Sequence, residues 1–265
     1  MQTFYYVHTG HRIGLDRFRR AATIIRSLGD VDITLLCSDF RIAQIARDFG
    51  VEKSVGIDVV RNIPQISHHG DQLIFDSDEA NPIMLDDMQS YFSTFIHIKA
   101  NEVVIDEKYF QPIPKNIKLS FFFGDDDYEK DMQKLIPTLK ELNAEILLGF
   151  YYFLDYEDML KEEFSKCHEF EEYDDVIKGS EIFITSSPQA VLENLASGGK
   201  PIYLQREDYI TDFNEIFNSL NVPVVENLDI NQVSEIVKTI DNRKYEIPLQ
   251  NSNIISKFIK ENLTL

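Results

Sequence analysis

Short apolar runs alternate with segments of helical periodicity along the whole chain. In segment 15–28, apolar residues recur every three or four positions, which predicts an amphipathic helix that Gly29 ends. The apolar runs between helical segments predict strands at 2–8, 33–37, 73–75, 94–98, 118–123, 145–150, 182–184 and 201–204. Further helices are predicted at 41–49, before 142, after 188, and near 211–220, 230–240 and 252–262. This alternation predicts an α/β fold with parallel sheets covered by helices on both faces.

The alternation is interrupted between residues 107 and 117, where Pro112 and Pro114 indicate a linker. It then restarts, so we predict two α/β domains, residues 1–112 and 113–265. A chain of 265 residues is long enough for two separate cores. Ligands of such sheets bind beyond the carboxyl ends of the strands, and a cleft between two domains is the expected site.

The acidic charge balance of the chain argues against some classes of binding partner. The chain has 26 Lys and Arg against 45 Asp and Glu, a net charge of −19. Such a chain binds nucleic acid or anionic membrane poorly, because attraction to phosphate supplies most of that affinity.

No apolar run approaches the ~20 residues of a membrane helix, and the N-terminus does not resemble a secretion signal. Two cysteines do not form a disulfide framework. We therefore predict a cytoplasmic protein without nucleic-acid partners.

The loop after the first strand is the first candidate site. Gly10 permits a tight turn, and the following helix N-terminus favours phosphate. His11 lies in this turn and can act as a general acid or base. Arg12 and Arg17 form the densest basic cluster of the chain together with Arg19 and Arg20. The alternative is a capped helix start with solvated arginines. Residues 76–79 follow a strand at the same end of the sheet, where their carboxylates could face the ligand.

The second candidate site begins at Ser186 and Ser187. Ser187 is a favourable N-cap and Pro188 suits the first helical position. Hydroxyl and backbone N–H groups at this helix start could hold a diphosphate, and Glu193, two turns later, could accept hydrogen bonds from ribose hydroxyls. The alternative is a well-capped core helix with one exposed glutamate.

The third candidate site is Gly124 with the aspartates 125–127, directly after a predicted strand. The glycine permits close approach of a ligand. The carboxylates could bind a divalent metal. They could equally be helix-start acids that the helix dipole stabilises.

The order of these motifs resembles the two-domain glycosyltransferase-B (GT-B) architecture. Thr-Gly-His precedes the first helix, Phe-Gly-Asp-Asp-Asp opens the second half, and the segment 179–204 comes late. More closely, the chain resembles the UDP-sugar hydrolases of pseudaminic acid biosynthesis, which are related to MurG-type transferases. The resemblance implies two Rossmann-like domains that face a cleft, with the nucleotide-sugar on the second.

The same resemblance implies roles for individual residues. His11 would be the catalytic base and Gly124 would contact phosphate, while Gly10, Arg12 and Arg17 are phosphate candidates from the first loop itself. The residues that would bind the uridine diphosphate are Ser186, Ser187 and Glu193. Gly124 is followed by aspartates, which departs from the paired glycines of that family and would repel a diphosphate unless a metal or an arginine offsets the charge.

The implied activity is hydrolysis of a nucleotide-sugar, a UDP-sugar by this resemblance, in nonulosonate or surface-glycan biosynthesis. His11 would activate a water that attacks the anomeric carbon, with no bound metal and no other cofactor. One alternative is a GT-B glycosyltransferase that uses a UDP-sugar donor. The other is a non-catalytic accessory protein that has kept the fold.

Overall fold

A computed structural model describes residues 1–11, 13–111, 113–208 and 212–264. Its strands are β1 (Thr3–Val7), β2 (Ile33–Cys37), β3 (Ser54–Gly56), β4 (Gln72–Asp76), β5 (Thr94–His97), β6 (Ile117–Phe122), β7 (Glu145–Leu147), β8 (Cys167–His168), β9 (Ser180–Thr185), β10 (Lys200–Leu204) and β11 (Val224–Val225). Its α-helices are α1 (Asp16–Leu28), α2 (Phe40–Ile45), α3 (Ile63–Ile66), α4 (Pro82–Tyr91), α5 (Ile136–Glu141), α6 (Leu154–Glu163), α7 (Tyr173–Gly179), α8 (Pro188–Ala196), α9 (Asn214–Ser219), α10 (Ile230–Thr239) and α11 (Ser252–Asn262). Short 3-10 helices span Ala46–Phe49, Val60–Asn62, Glu107–Phe110, Asp131–Lys134, Phe170–Glu172 and Ile240–Asn242.

The chain divides into two compact units. Unit 1 comprises Met1–Val104 together with the residues from Asn251 onward, and unit 2 comprises Ile105–Gln250. Each unit contains one parallel sheet with helices between its strands, which confirms the predicted α/β class and the two Rossmann-like domains. The expected cleft between them stays a prediction.

The sheet of unit 1 has the order β3-β2-β1-β4-β5. All its pairings are parallel, and β1 lies at the centre with every residue buried. This burial explains why β1 reads as a continuous apolar run rather than an alternating one. One of the cores of this unit packs Tyr6, Leu36 and Phe75 against the short helical segments after β3.

The sheet of unit 2 has the order β11-β10-β9-β6-β7-β8, again with parallel pairings. Its two central strands, β6 and β9, carry buried aromatic and β-branched side chains such as Phe121, Phe183 and Ile184. Residues from β6, β7, β9 and β10 share one apolar cluster with the helices that cover them. The edge strands β8 and β11 have two residues each.

The C-terminal helix differs from the predicted domain assignment. The predicted second domain contains all residues from 113 onward, but α11 belongs to unit 1. Its Ile259 is buried, and Ser256 shares a hydrogen bond with Ser27 on α1. Beyond the helix, the Thr264 N–H donates to the Gln72 side chain at 2.7 Å. The amphipathic pattern of α11 predicts a buried face but does not indicate which sheet covers it.

Candidate functional site

The polar segments at the carboxyl edge of the unit 2 sheet meet where the strand order reverses. From β6 the chain continues to β7 on one side, whereas β9 lies on the other side. The loops that follow β6 and β9 therefore leave the sheet side by side, and such a switch point is where α/β sheets form a ligand crevice. The Ser186 N–H donates to the Phe122 carbonyl at 3.2 Å, which ties the two loops together. The structure thus brings Gly124 and Ser186 to one place.

The start of α8 combines a satisfied cap with an unsatisfied hydroxyl. The Ser187 side chain accepts the Ala190 N–H at 3.1 Å, and Pro188 occupies the first helical position, as predicted. The neighbouring Ser186 Oγ is fully buried and has no hydrogen-bond partner among the described residues. Buried polar atoms are almost always paired, so this hydroxyl marks a position that a ligand or water would complete.

Glu193 lies inside unit 2 rather than on its surface. Its side chain is 2% exposed. The Tyr173 hydroxyl donates to one carboxylate oxygen at 2.8 Å, and the Gln189 amide donates to the other at 2.9 Å. The expected alternative of one exposed glutamate is therefore wrong. Burial, followed by the charge of Glu193, raises the pKa of Tyr109.

Gly124 is required by the backbone of its loop. Its φ of +122° lies in a region that side chains rarely allow. The loop after β7 packs directly on it. A Cβ added to Gly149 would lie 2.5 Å from the Gly124 carbonyl oxygen and 2.7 Å from the Asp125 carbonyl carbon.

We expect Gly149→Ala to shift the Gly124 loop, because backbone atoms cannot rotate away from the new methyl group. The expected loss of unfolding free energy is about 1–3 kcal/mol, the usual cost of overpacking. Urea denaturation followed by circular dichroism measures it. An unchanged midpoint would contradict this close packing of the two loops.

The three aspartates after Gly124 are buried, and one has a structural role. The Asp127 carboxylate accepts N–H groups of Asp131 and Met132 at 2.8 and 3.0 Å and the Tyr156 hydroxyl at 2.5 Å. Burial raises the pKa of Asp127, and these hydrogen bonds act in the opposite direction. These contacts favour the helix-start alternative for Asp127. Within the described ranges, no group of three or more His, Cys, Asp or Glu side chains is arranged to hold a metal ion.

Arg206 is a positively charged side chain near these aspartates, and Asp208 already pairs with it. It follows β10, is 6% exposed, and donates to the Asp126 carbonyl at 2.5 Å. Its guanidinium lies 4.5 Å above the Phe123 ring and pairs with Asp208 at 2.7 and 2.8 Å. Neither Arg206 nor Tyr173 was predicted, because only the fold brings them to the predicted segments. Gln189 was detectable, since it lies four residues before Glu193 on a helix.

The carboxyl edge of the unit 1 sheet has its own switch point, between β1 and β4. The Gly10 carbonyl accepts the N–H groups of Ile13 and Gly14 at 3.1 and 3.0 Å, which forms the predicted tight turn. Gly10 adopts a φ of +140°. His11 is exposed on this turn. Arg12 lies outside the described residues.

Arginines of the predicted basic cluster form ion pairs with carboxylates. Arg17 pairs with Asp78 and has a second nitrogen 3.7 Å from Asp76. Arg20 is buried and contacts both oxygens of Asp76. The alternative of solvated arginines is therefore wrong for Arg20, which is a core residue. A phosphate at this helix start would share Arg17 with two acidic side chains, and that role of Arg17 stays a prediction.

Comparison with known proteins supports the fold and leaves the family open. No protein-family model matches the chain, and no curated protein sequence does. Among solved structures, the UDP-GlcNAc 2-epimerase of Methanocaldococcus jannaschii in complex with UDP-GlcNAc and UDP has a TM-score of 0.64 at 10% identity. That match covers 98% of this chain and 100% of the epimerase.

Two further similar structures have comparable coverage. Anabaena HepE in complex with UDP-glucose has a TM-score of 0.58 at 10% identity, over 97% of this chain and 95% of HepE. Acinetobacter baumannii MurG has a TM-score of 0.55 at 10% identity, over 98% of this chain and 100% of MurG. The chain therefore has the GT-B glycosyltransferase-like fold. In the parts of the chain that the structure describes, no helix has the length and apolar character to cross a membrane.

Proposed function

We propose that the chain binds a nucleotide-sugar, a UDP-sugar, at the carboxyl edge of the unit 2 sheet. The buried Ser186 hydroxyl beside the start of α8, which has no hydrogen-bond partner within the described part of the chain, carries this proposal. The diphosphate would lie against Ser186 and Ser187, where the helix N-terminus favours negative charge. The loop at Gly124 would contact the phosphates, and Glu193 would accept the ribose hydroxyls. The epimerase structure is a complex with UDP-GlcNAc and UDP, and the HepE structure is a complex with UDP-glucose, which supports this ligand class.

The proposed reaction is hydrolysis of the sugar–diphosphate bond in the cytoplasm, as the resemblance to the hydrolases of pseudaminic acid biosynthesis implies. Water attacks the anomeric carbon, a general base takes its proton, and UDP leaves with the bonding electron pair. The resemblance assigns the proton acceptor to His11. By the same resemblance, the reaction would use no metal and no other cofactor, and helix N-termini would stabilise the charge of the leaving group.

A glycosyltransferase is the second candidate, and the similarity to MurG favours it. Both reactions use the same donor site and differ in whether water or an acceptor hydroxyl attacks. A non-catalytic accessory protein is the third. Product analysis separates them, since the hydrolase releases free sugar without an acceptor, the transferase requires one, and the accessory protein binds UDP without turnover.

Calorimetry with UDP tests the binding site directly. We expect Ser186→Ala to weaken UDP affinity by about 0.5–1.5 kcal/mol, the net value of one hydrogen bond. The unfolding free energy should not fall, because the hydroxyl has no partner to lose among the described residues.

Ser180→Ala is the matched control for this prediction. The Ser180 hydroxyl is also buried, but it contacts Ser120 Oγ and the Val176 carbonyl, both at 2.6 Å. This variant should lose stability and keep its UDP affinity. If UDP does not bind the wild-type chain, the proposed function fails. If Ser186→Ala binds UDP as the wild type does, the proposed position of the diphosphate is wrong.

A further inference from the structure

An apolar cavity of about 230 Å³ lies within unit 1, between α4 and the helical segments that follow β3. Val60 and Ile63 form one wall, where the 3-10 helix Val60–Asn62 leads into α3, and both side chains are buried. The opposite wall belongs to α4, whose inward face carries Met84, Met88 and Tyr91 at spacings of four and three residues. None of these residues belongs to the candidate sites described above.

The α4 wall packs loosely enough to leave this space. No residue of α4 is fully buried, although Met84, Met88 and Tyr91 contact one of the apolar cores of unit 1. Tyr91 is fixed, because its hydroxyl donates to the Ser67 carbonyl at 3.1 Å and its ring contacts Phe92 edge to face at 5.0 Å. The two methionines can adapt, since their unbranched side chains are flexible and pack well against aromatic rings.

The volume of the cavity indicates the size of the group it can hold. An apolar cavity of roughly 150 Å³ is large enough to bind benzene in another protein. The cavity of about 230 Å³ therefore has room for an aromatic ring and a few further atoms.

Two charged side chains of opposite sign line the same cavity. Arg61 comes from the wall of Val60, and Asp87 comes from the wall of Met88. Both residues are exposed, so their charges lie on the solvent side of the apolar walls. Neither side chain forms an ion pair or a hydrogen bond with another residue in the described ranges. A guanidinium binds a carboxylate through two parallel hydrogen bonds, and a carboxylate binds an ammonium group.

We propose that this cavity binds a free amino acid with an apolar side chain of the size of phenylalanine. The apolar side chain enters between the two walls, the α-carboxylate pairs with Arg61, and the α-ammonium group pairs with Asp87. An amino acid matches the cavity because it carries one apolar group and two opposite charges on the same carbon. This site lies in unit 1 and does not depend on the proposed nucleotide-sugar site of unit 2.

Methyl NMR of the full chain, labelled with carbon-13 at its five methionines, locates the binding site. Titration with L-phenylalanine should give saturable shifts of the Met84 and Met88 signals. The signals of Met132 and Met159, which pack in the core of unit 2, serve as internal controls and should stay in place. No saturable shift up to about 10 mM L-phenylalanine, a limit that corresponds to very weak binding, would overturn the proposal, as would equal shifts at all four methionines.

Two analogues of phenylalanine separate the roles of the charges. Phenylpropionate lacks the ammonium group, and phenylethylamine lacks the carboxylate. Arg61→Gln should weaken binding of L-phenylalanine and phenylpropionate by about fivefold, the upper range for an exposed ion pair, and leave phenylethylamine unaffected. Asp87→Asn should weaken L-phenylalanine and phenylethylamine by the same factor and leave phenylpropionate unaffected.

Asp86→Asn is the matched control for these variants, because Asp86 is an exposed neighbour on α4 that does not line the cavity. It should bind all three ligands as the wild type does. Urea denaturation should give the same unfolding free energy for all variants, since none of the replaced side chains has a partner to lose in the described part of the chain.

The uncharged N-acetyl-L-phenylalanine amide completes the test. It should bind more weakly than L-phenylalanine, because it offers no charge to either residue. If it binds as tightly, or if Arg61→Gln and Asp87→Asn bind L-phenylalanine like the wild type, recognition of a free amino acid is overturned. UDP binding at Ser186 is measured separately and is unaffected by either result.

Discussion

Asp76→Asn should destabilise the protein by about 3–5 kcal/mol, the usual cost of removing one partner of a buried ion pair. Asp76 is fully buried, and it accepts two hydrogen bonds from the buried guanidinium of Arg20 and one from the Tyr5 hydroxyl at 3.0 Å. Asparagine keeps the shape of the side chain but removes its charge. Arg20 would then remain buried with backbone carbonyls, such as that of Lys99 at 3.3 Å, as its other partners.

Asp32→Asn is the matched control for this prediction. Asp32 pairs with Lys53 at 2.6 Å in the same unit, but its side chain is 74% exposed. Exposed pairs contribute at most about 1 kcal/mol, because water screens both charges. Urea denaturation followed by circular dichroism compares the two variants. Equal losses for both would contradict the view that Asp76 and Arg20 form a structural pair in the core.

Local sequence pattern predicted the parts of the fold that short-range physics decides. The continuous apolar run of β1 and the helical spacing of α1 are properties of neighbouring residues, so both elements appear where the pattern places them. The cap of α8 is equally local, because Ser187 accepts an N–H three residues later. The alternation of such elements was sufficient to predict two parallel sheets.

The missed features depend on contacts between distant segments. The two-residue strands β8 and β11 are too short to show a pattern of their own, and pairing with β7 and β10 defines them. The helix predicted to end near 142 is instead a 3-10 helix followed by α5, with Pro137 near the break. Proline lacks the N–H that a continuous helix would need there.

The candidate sites follow the same division. The positions of Ser186, Ser187 and Gly124 were predictable, because each residue follows a recognisable strand. The residues that contact the candidate site residues, and so set their chemistry, were not predictable. Arg20 looks like a surface arginine in the sequence, yet Asp76, 56 residues away, makes it a core residue. The approach of His8 to Glu79, with 3.7 Å between imidazole Nδ1 and carboxylate, likewise becomes visible only when β1 and β4 lie side by side.

Glu193→Ala should affect both stability and nucleotide affinity. Truncation removes the acceptor of two buried donors, the Tyr173 hydroxyl and the Gln189 amide. Leaving a buried donor unsatisfied costs about 1–3 kcal/mol for each group, so the unfolding free energy should fall markedly. If the same carboxylate also accepts ribose hydroxyls, UDP affinity should weaken by a further ~1–3 kcal/mol, the range for a lost charged partner.

Tyr173→Phe separates these two effects. It removes one donor to the carboxylate and leaves Glu193 charged, so UDP affinity should stay close to that of the wild type while stability falls slightly. Calorimetry with UDP and urea denaturation on the three proteins give both quantities. A Glu193→Ala variant that is destabilised but binds UDP as tightly as the wild type would show that the glutamate serves the packing of α7 against α8. The ribose would then be held by other residues, and the diphosphate site at Ser186 would have to stand on its own evidence.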